Sequence, residues 1–297
     1  MNKNLSKTIY KPKVIAIVGP TASGKTSYSI ELAKKCNGEI ISADSRLVYK
    51  GFDIGTAKPT IKEQAEVPHH MIDIVEPEFE YTAGLYKDEA SKIIIDILSR
   101  NRTPIIVGGT GLYIDILLKN FNLPKFEPNK NLRAELNKFN NEELYERLIS
   151  MDAGAKDTIN ISDKKKIIRA IEIIKNTGKT LKDSRGVNTQ LYDVEWIGKN
   201  FDRKTLYKRI DNRVDSMIEN GLIDETKYLL KRHGKIPNLI YTIGYKEILK
   251  FLDGDLEINE AVNLLKKNTR NYAKRQLTWF RRNQNIKWDI YPEKLDK

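Results

Sequence analysis

Cysteine is nearly absent. Cys36 is the single one among 297 residues, which excludes an intrachain disulfide and a cysteine-based zinc site. It falls in a segment with helical periodicity, where a small buried residue is the simplest reading. Histidine is scarce too, and the His69-His70 pair has no third ligand at a suitable spacing. Long hydrophobic runs are missing. Mean hydropathy is −0.52, and no apolar run approaches the length of a bilayer span. The polar start, Met1 to Lys13, is followed by an apolar stretch too short for a signal-peptide core. The expectation is a cytoplasmic protein with no membrane segment. Acidic charge is in deficit: 40 Asp and Glu stand against 52 Lys and Arg, a net charge of +12. That bias points to an anionic partner, most simply nucleic acid, unless the lysines are merely solvated. Total charge does not separate the two readings; its distribution must.

What the chain does have is a complete phosphate-loop pattern, Gly19-Pro20-Thr21-Ala22-Ser23-Gly24-Lys25-Thr26. The apolar run Val14–Val18 before it reads as a buried strand, and a segment of helical periodicity follows, which is the context the motif requires. Glycines let the backbone wrap around oxygens, and the helix amino-terminus adds partial positive charge. Lys25 can reach a terminal phosphate, and the Thr26 hydroxyl can hold Mg2+. The loop implies binding of a polyphosphate or pyrophosphate. Taken alone it favours an ATP-consuming enzyme.

Strand and helix signals alternate through about residue 118. Further strands are expected at Glu39–Asp44, Met71–Val75 and Pro104–Val107, with a helix from Thr82 carrying Tyr86, Ala90, Ile93, Ile94 and Ile97. The alternation implies an α/β fold, a phosphate-loop NTPase-like parallel sheet with helices on both faces. Pro124 and Pro128 break the pattern. Residues 131–180 read as helical, and Val194–Gly198 returns to the sheet. The expected organisation is a catalytic core of residues 1–121 and 191–297, a helical insertion at 122–190, and a helical carboxyl-terminal region from Lys204 onward.

Two segments are basic beyond the average. Ile161 to Gly186 holds Lys164, Lys165, Lys166, Arg169, Lys175, Lys179, Lys182 and Arg185 against three acids. Lys266 to Arg282 holds seven cations and no acid, interleaved with Tyr272, Trp279 and Phe280. Such cations suit phosphates, and aromatic faces can stack on unpaired bases. Trp279 and Phe280 are nonetheless expected to pack inward, as interleaved aromatics at helical spacing do. Asp44, ending a strand beside the loop, can hold Mg2+, bind a hydroxyl or act as a general base. Gly108-Gly109 ends a strand where many phosphate-loop enzymes place a metal-binding aspartate, and Asp73 is an alternative for that role. Arg209 and Arg213 share a helix face; solvation is their default unless the helix borders the loop.

In combination these motifs resemble the bacterial tRNA dimethylallyltransferase (tRNA isopentenyl transferase) family, from about residue 14 to residue 282. The phosphate loop is generic. The ordered set is specific: Ser42-Ala43-Asp44-Ser45, Asp53-Ile54-Gly55-Thr56-Ala57-Lys58-Pro59, Pro68-His69-His70, Gly108-Gly109-Thr110-Gly111-Leu112-Tyr113, Ile243-Gly244-Tyr245-Lys246-Glu247, and Ala273–Phe280. The resemblance implies transfer of a dimethylallyl group from dimethylallyl pyrophosphate to the exocyclic amine of the adenosine 3′ of the tRNA anticodon, with Mg2+ and release of pyrophosphate. It implies Asp44 as the catalytic aspartate, Lys25 and Thr26 on the pyrophosphate with Gly19, Pro20, Thr21, Ala22, Ser23 and Gly24, and Arg213 as a pyrophosphate-binding arginine. It places contacts with the tRNA anticodon stem-loop on Asp44, Ser45, Arg46 and Leu47, on Thr110 and Arg133, on Lys165, Lys166, Ile167, Ile168 and Arg169, and on Ile240, Tyr241, Thr242, Ile243, Gly244 and Tyr245. A flipped adenosine is implied, and a monomer is the default. Two other readings stay open from the residues. One is a phosphate-loop kinase of a small metabolite; the other is an adenylate isopentenyltransferase acting on free nucleotide.

Overall fold

The computed structural model describes residues 11–121, 126, 129–184 and 189–290. Pro124, Pro128, Arg185 and the first ten residues, all part of the sequence expectations, lie outside that set. The chain divides into two compact units: Met1–Leu118 with Leu191–Lys297, and Lys119–Gln190.

The first unit is built on a parallel sheet. Along the chain come β1 (Lys13–Val18), α1 (Lys25–Cys36), β2 (Gly38–Ser42), α2 (Ile61–Glu66), β3 (His69–His70), α3 (Ala83–Ser99), β4 (Thr103–Gly108) and α4 (Gly111–Leu118). The buried residues of β1 alternate between two cores. Val14, Ala16 and Val18 pack with Tyr86, Ile94 and Ile114 of α3 and α4. Ile15 and Ile17 pack with Ile30 and Ala33 of α1. A strand buried on both faces reads as an unbroken apolar run, which is how β1 reads.

The expected third strand is shorter than the sequence suggests. Only His69–His70 pairs with β2, because Met71 and Asp73 take positive φ (64° and 53°) and bend the chain out of the extended region. Lys58 Nζ, almost fully buried, fixes that bend by bonding the Asp73 carboxylate, Asp53 and the Tyr49 carbonyl. The Asp73 carboxylate is thus paired with a lysine. His70 Nε2 bonds Glu39 at 2.7 Å. Glu39 is 1 % exposed and is also paired with Arg100 and Arg102; bonds from Arg100 hold its carboxyl down to about 2 against the opposing effect of burial.

The second unit is helical, with α5 (Lys130–Leu136), α6 (Asn141–Met151), a 3-10 turn at Ala153–Asp157, α7 (Lys164–Thr177) and α8 (Leu181–Ser184). Asn140 and Glu143 form a capping box at α6; Asp163 caps α7, which stops at Gly178 in the left-handed region (φ 64°). Its core contains Leu144, Leu148, Ile167, Ile168, Ile171 and Leu181, each worth about 1.5–3 kcal/mol when removed from water.

The chain then returns to the first unit with β5 (Asp193–Gly198), α9 (Arg203–Glu219), α10 (Leu222–His233), α11 (Pro237–Tyr241), α12 (Tyr245–Leu252), α13 (Ile258–Phe280) and a two-residue edge strand β6 (Lys287–Trp288). Among the described residues the sheet order is β3-β2-β4-β1-β5-β6, with every pair parallel. The loop after β1 thus emerges between the loops after β4 and β5. Crevices at the carboxyl ends of parallel strands are where such sheets bind ligands. No described helix is long and apolar enough to cross a membrane.

Candidate active site

A cavity of about 600 Å³ opens at that carboxyl edge. The phosphate loop forms one wall, with Thr21 to Thr26 all lining it. Gly19 cannot carry a side chain: a Cβ there would lie 2.1 Å from the Lys199 carbonyl oxygen, and its φ is 149°. Gly24, at φ 81°, turns the chain into α1, so Lys25 and Thr26 occupy its first turn. Their place at a helix amino-terminus favours an anion in front of them.

Three cations surround this loop. Lys25 Nζ donates to the Pro20 carbonyl at 2.6 Å. Burial of the ammonium, reinforced by the positive charge of Arg213, lowers its pKa from 10.5 to about 7, against the pull of Asp44. Arg213 Nη1 donates to Thr21 Oγ1 at 3.1 Å, and Arg209 Nε donates to the Ala22 carbonyl at 2.9 Å. The helix α9 therefore borders the loop, and the solvated reading of these arginines is replaced. Burial and the neighbouring Arg209 depress the Arg213 guanidinium. Two hydroxyls on the cavity wall, Ser23 Oγ and Ser42 Oγ, are buried without a hydrogen-bond partner.

Asp44 lines the same cavity. Its Oδ1 accepts the Arg46 N–H at 2.8 Å, which fixes the carboxylate at the end of β2. Asp44, Ser45, Arg46 and Leu47 all line the cavity. Thr110 buttresses this segment: its hydroxyl accepts the Ser45 N–H and its own N–H reaches the Ala43 carbonyl, both at 3.1 Å. Tyr272 of α13 lines the same cavity. Burial and the Asp44 charge raise its phenol, while a bond with Thr110 acts the other way.

Two features of α13 carry no sequence signal of their own. Gln276, within the Ala273–Phe280 motif, joins the phosphate loop to the turn after β4: its Oε1 accepts the Thr21 N–H at 2.8 Å and its Nε2 donates to the Gly109 carbonyl at 3.1 Å. The acid-free basic segment is partly neutralised from another helix, since Lys266 pairs with Asp215 at 2.6 Å and Arg270 pairs with Asp211. Of its aromatics, Phe280 is buried and Trp279 packs on Gly111 while donating to Asp115 at 3.0 Å. Both face inward as expected, and only Tyr272 reaches the cavity.

Family models for IPP transferase match residues 47–283, and for isopentenyl transferase residues 12–73. A tRNA dimethylallyltransferase of Halalkalibacterium halodurans is 45% identical over 295 residues, covering 97% of this chain and 94% of the relative. One from Staphylococcus saprophyticus is 44% identical over 287 residues, covering 94% and 91%. The chain belongs to the tRNA dimethylallyltransferase family. Among solved structures, a tRNA isopentenylpyrophosphate transferase from Bacillus halodurans shares 43% identity with TM-score 0.71, covering 94% of this chain and 89% of that one. A eukaryotic dimethylallyltransferase acting on tRNA shares 31% identity with TM-score 0.80, covering 91% and 70%.

For this dimethylallyltransferase-family chain, the structure sorts the remaining expected positions. Lys165 and Lys166 are exposed on α7, the latter paired with Asp163 at 2.6 Å. Ile167 and Ile168 lie in the core of the second unit, at 0 % and 6 % exposure, so side-chain contact with RNA at these two is corrected to core packing. Arg133 and Arg169 both bond Glu172, at 2.8 and 2.5 Å, and Glu172 is fully buried; the two arginines hold the unit together whatever else they touch. Tyr241 is exposed at the cavity rim, with Thr242 and Ile243 also lining it. Thr242 Oγ1 donates to the Asn238 carbonyl at 2.5 Å, and Ile240 packs against the core. Tyr245 is fully buried and donates to Glu225, whose carboxylate also accepts the Ile54 and Gly55 N–H groups. Its side chain is a core strut, not an RNA contact, and a Cβ on Gly55 would strike its ring at 2.6 Å.

Proposed function

We propose that this chain transfers a dimethylallyl group from dimethylallyl pyrophosphate to the exocyclic amine of the adenosine 3′ of a tRNA anticodon. The observation that carries the reading is the meeting of Arg213 with Thr21, in the cavity that Asp44 also lines. An anion cradle and a carboxylate base thereby line one space. As the allylic carbon–oxygen bond breaks, its electron pair leaves with the pyrophosphate. Lys25, Arg213 and the amides at the start of α1 bind that growing charge more strongly than the ground state. The amine nitrogen forms the new bond to the allylic carbon, and Asp44 takes the proton that nitrogen loses. The adenosine must leave its stack to reach this wall.

Magnesium suits the donor set. A cation that keeps most of its waters and rests on substrate phosphates needs few protein ligands, and the Thr26 hydroxyl and the unpartnered Ser42 hydroxyl line the cavity beside Asp44. Bound there with the donor, it would neutralise pyrophosphate charge. The exposed Lys165 and Lys166 and the rim residue Tyr241 are assigned to the tRNA. Every donor-site residue comes from one unit of one chain, which is all that a monomer needs.

The kinase reading uses the same loop but does not require Arg213 beside a prenyl donor. A competition assay separates the two. Inorganic pyrophosphate should displace the donor, and ATP with small acceptors should yield no phosphorylated product; phosphate transfer from ATP would overturn the prenyl-transfer reading.

A further inference from the structure

The hydrogen-bond ladder between β1 and β4 ends at the Val18–Gly108 pair. Beyond it the two strands part, one into the phosphate loop and the other into the turn that carries Gly109 and Thr110. One side chain spans the opening. Gln276 accepts from the Thr21 N–H at 2.8 Å and donates to the Gly109 carbonyl at 3.1 Å, and it is 5 % exposed. Each end of this bridge is tied to one half of the site. Thr21 also accepts from Arg213. Gly109 precedes Thr110, whose hydroxyl holds the Ser45 N–H beside Asp44. Gly109 leaves room for the carboxamide, since a Cβ there would lie 2.0 Å from Gln276 Nε2.

We propose that Gln276 is a positioning residue for the transfer, setting the distance between the pyrophosphate cradle and the carboxylate wall. The proposal rests on the dimethylallyl-transfer reading above. A carboxamide is suited to the task because it carries a donor and an acceptor on one rigid plane. Glutamate of the same length keeps the acceptor and loses the donor; methionine has neither an N–H nor a carbonyl oxygen. Gln276 acts through Thr21 and Gly109, so its loss leaves each half able to bind its own ligand while the reacting atoms fall out of register. Misplacement by about 1 Å costs on the order of 100-fold in rate.

The test compares wild type with Gln276→Met, Gln276→Glu, Gly109→Ala, Gln276→Ala and the double variant Gln276→Ala/Gly109→Ala. The readouts are kcat, the KM for an anticodon stem-loop, the Kd for inorganic pyrophosphate with magnesium, and the Tm. Gln276→Met should lower kcat about 10- to 100-fold while pyrophosphate Kd and stem-loop KM stay within about threefold; Gln276→Glu, which adds a negative charge to the cavity lining, should lower kcat at least as much and weaken pyrophosphate binding while leaving stem-loop KM within about threefold. Gly109→Ala should reproduce that loss from the other side of the bridge. Added to Gln276→Ala, it should cost less than about twofold more, because the space it needs is then vacant. A wild-type kcat in Gln276→Met overturns the proposal. So do parallel losses of kcat, both affinities and Tm, or unfolding of every variant, since those mark a purely structural residue. A wild-type chain that transfers no prenyl group would instead defeat the underlying reading, and the proposal with it.

Discussion

Arg213 donates to the Thr21 hydroxyl at 3.1 Å, across 192 residues of sequence. The contact places a guanidinium where leaving-group charge would develop. Arg213→Ala is expected to slow single-turnover prenyl transfer by about 10²–10³, the usual loss for one preorganised donor. Stem-loop affinity, measured separately, should be unchanged. Arg213→Lys should recover little, because a point charge does not reproduce the planar fork.

Lys25 gives a pH signature. Its folded pKa is lowered to about 7 from 10.5, so between those values the unfolded chain binds more protons than the folded one. Stability should therefore rise with pH across that window, and burial of the charged lysine should cost most below it. Lys25→Met is expected to melt at a higher temperature than wild type near pH 6, with the gap closing toward pH 10, on a window set by about 7 and the ordinary lysine value. Calorimetry adds a second readout. Pyrophosphate binding above pH 8 should take up more proton in wild type than in Lys25→Met, the difference reporting the lysine.

Glu172 is the charge on which α5 and α7 depend. It is fully buried. Burial pushes its carboxyl up, but bonds from Arg133 and Arg169 outweigh that and leave it below the usual value. Glu172→Ala would leave two guanidiniums without their carboxylate and is expected to cost about 1–3 kcal/mol in urea unfolding, less than for fully buried ions because both arginines are about a third exposed. Glu172→Gln should cost less, since it still fills the space and can accept from one arginine.

The exposed pair Lys165 and Lys166 should act on RNA without that structural cost. Replacing both by alanine is expected to weaken stem-loop binding and to reduce the slope of log K against log salt by about 0.7–0.9 for each phosphate that is no longer neutralised. An unchanged slope would return the pair to simple solvation.

The core of this arrangement was legible in the chain. The apolar run Val14–Val18 and the loop through Thr26 specify a strand, an anion site and a helix by purely local rules, and β1 and α1 follow them. The neighbours of the loop were not legible. Arg209 and Arg213 read as a helix-surface pair because spacing reports the helix face, not what that face meets. The segment 266–282 read as wholly cationic because Asp211 and Asp215 of α9 lie far away in sequence. Met71–Val75 read as a strand because alternation does not reveal the positive φ of Met71 and Asp73, which Lys58 helps to hold. Gln276 was invisible for a similar reason: its partners are backbone groups 255 and 167 residues away.

The most direct test of the account offers labelled dimethylallyl pyrophosphate, magnesium and an anticodon stem-loop with adenosine 3′ of the anticodon to wild type and to Asp44→Ala. Wild type should move the label to the exocyclic amine of that adenosine and release one pyrophosphate per transfer. Asp44→Ala should bind the stem-loop normally and transfer almost none. No transfer by wild type, or transfer undiminished in Asp44→Ala, would contradict it.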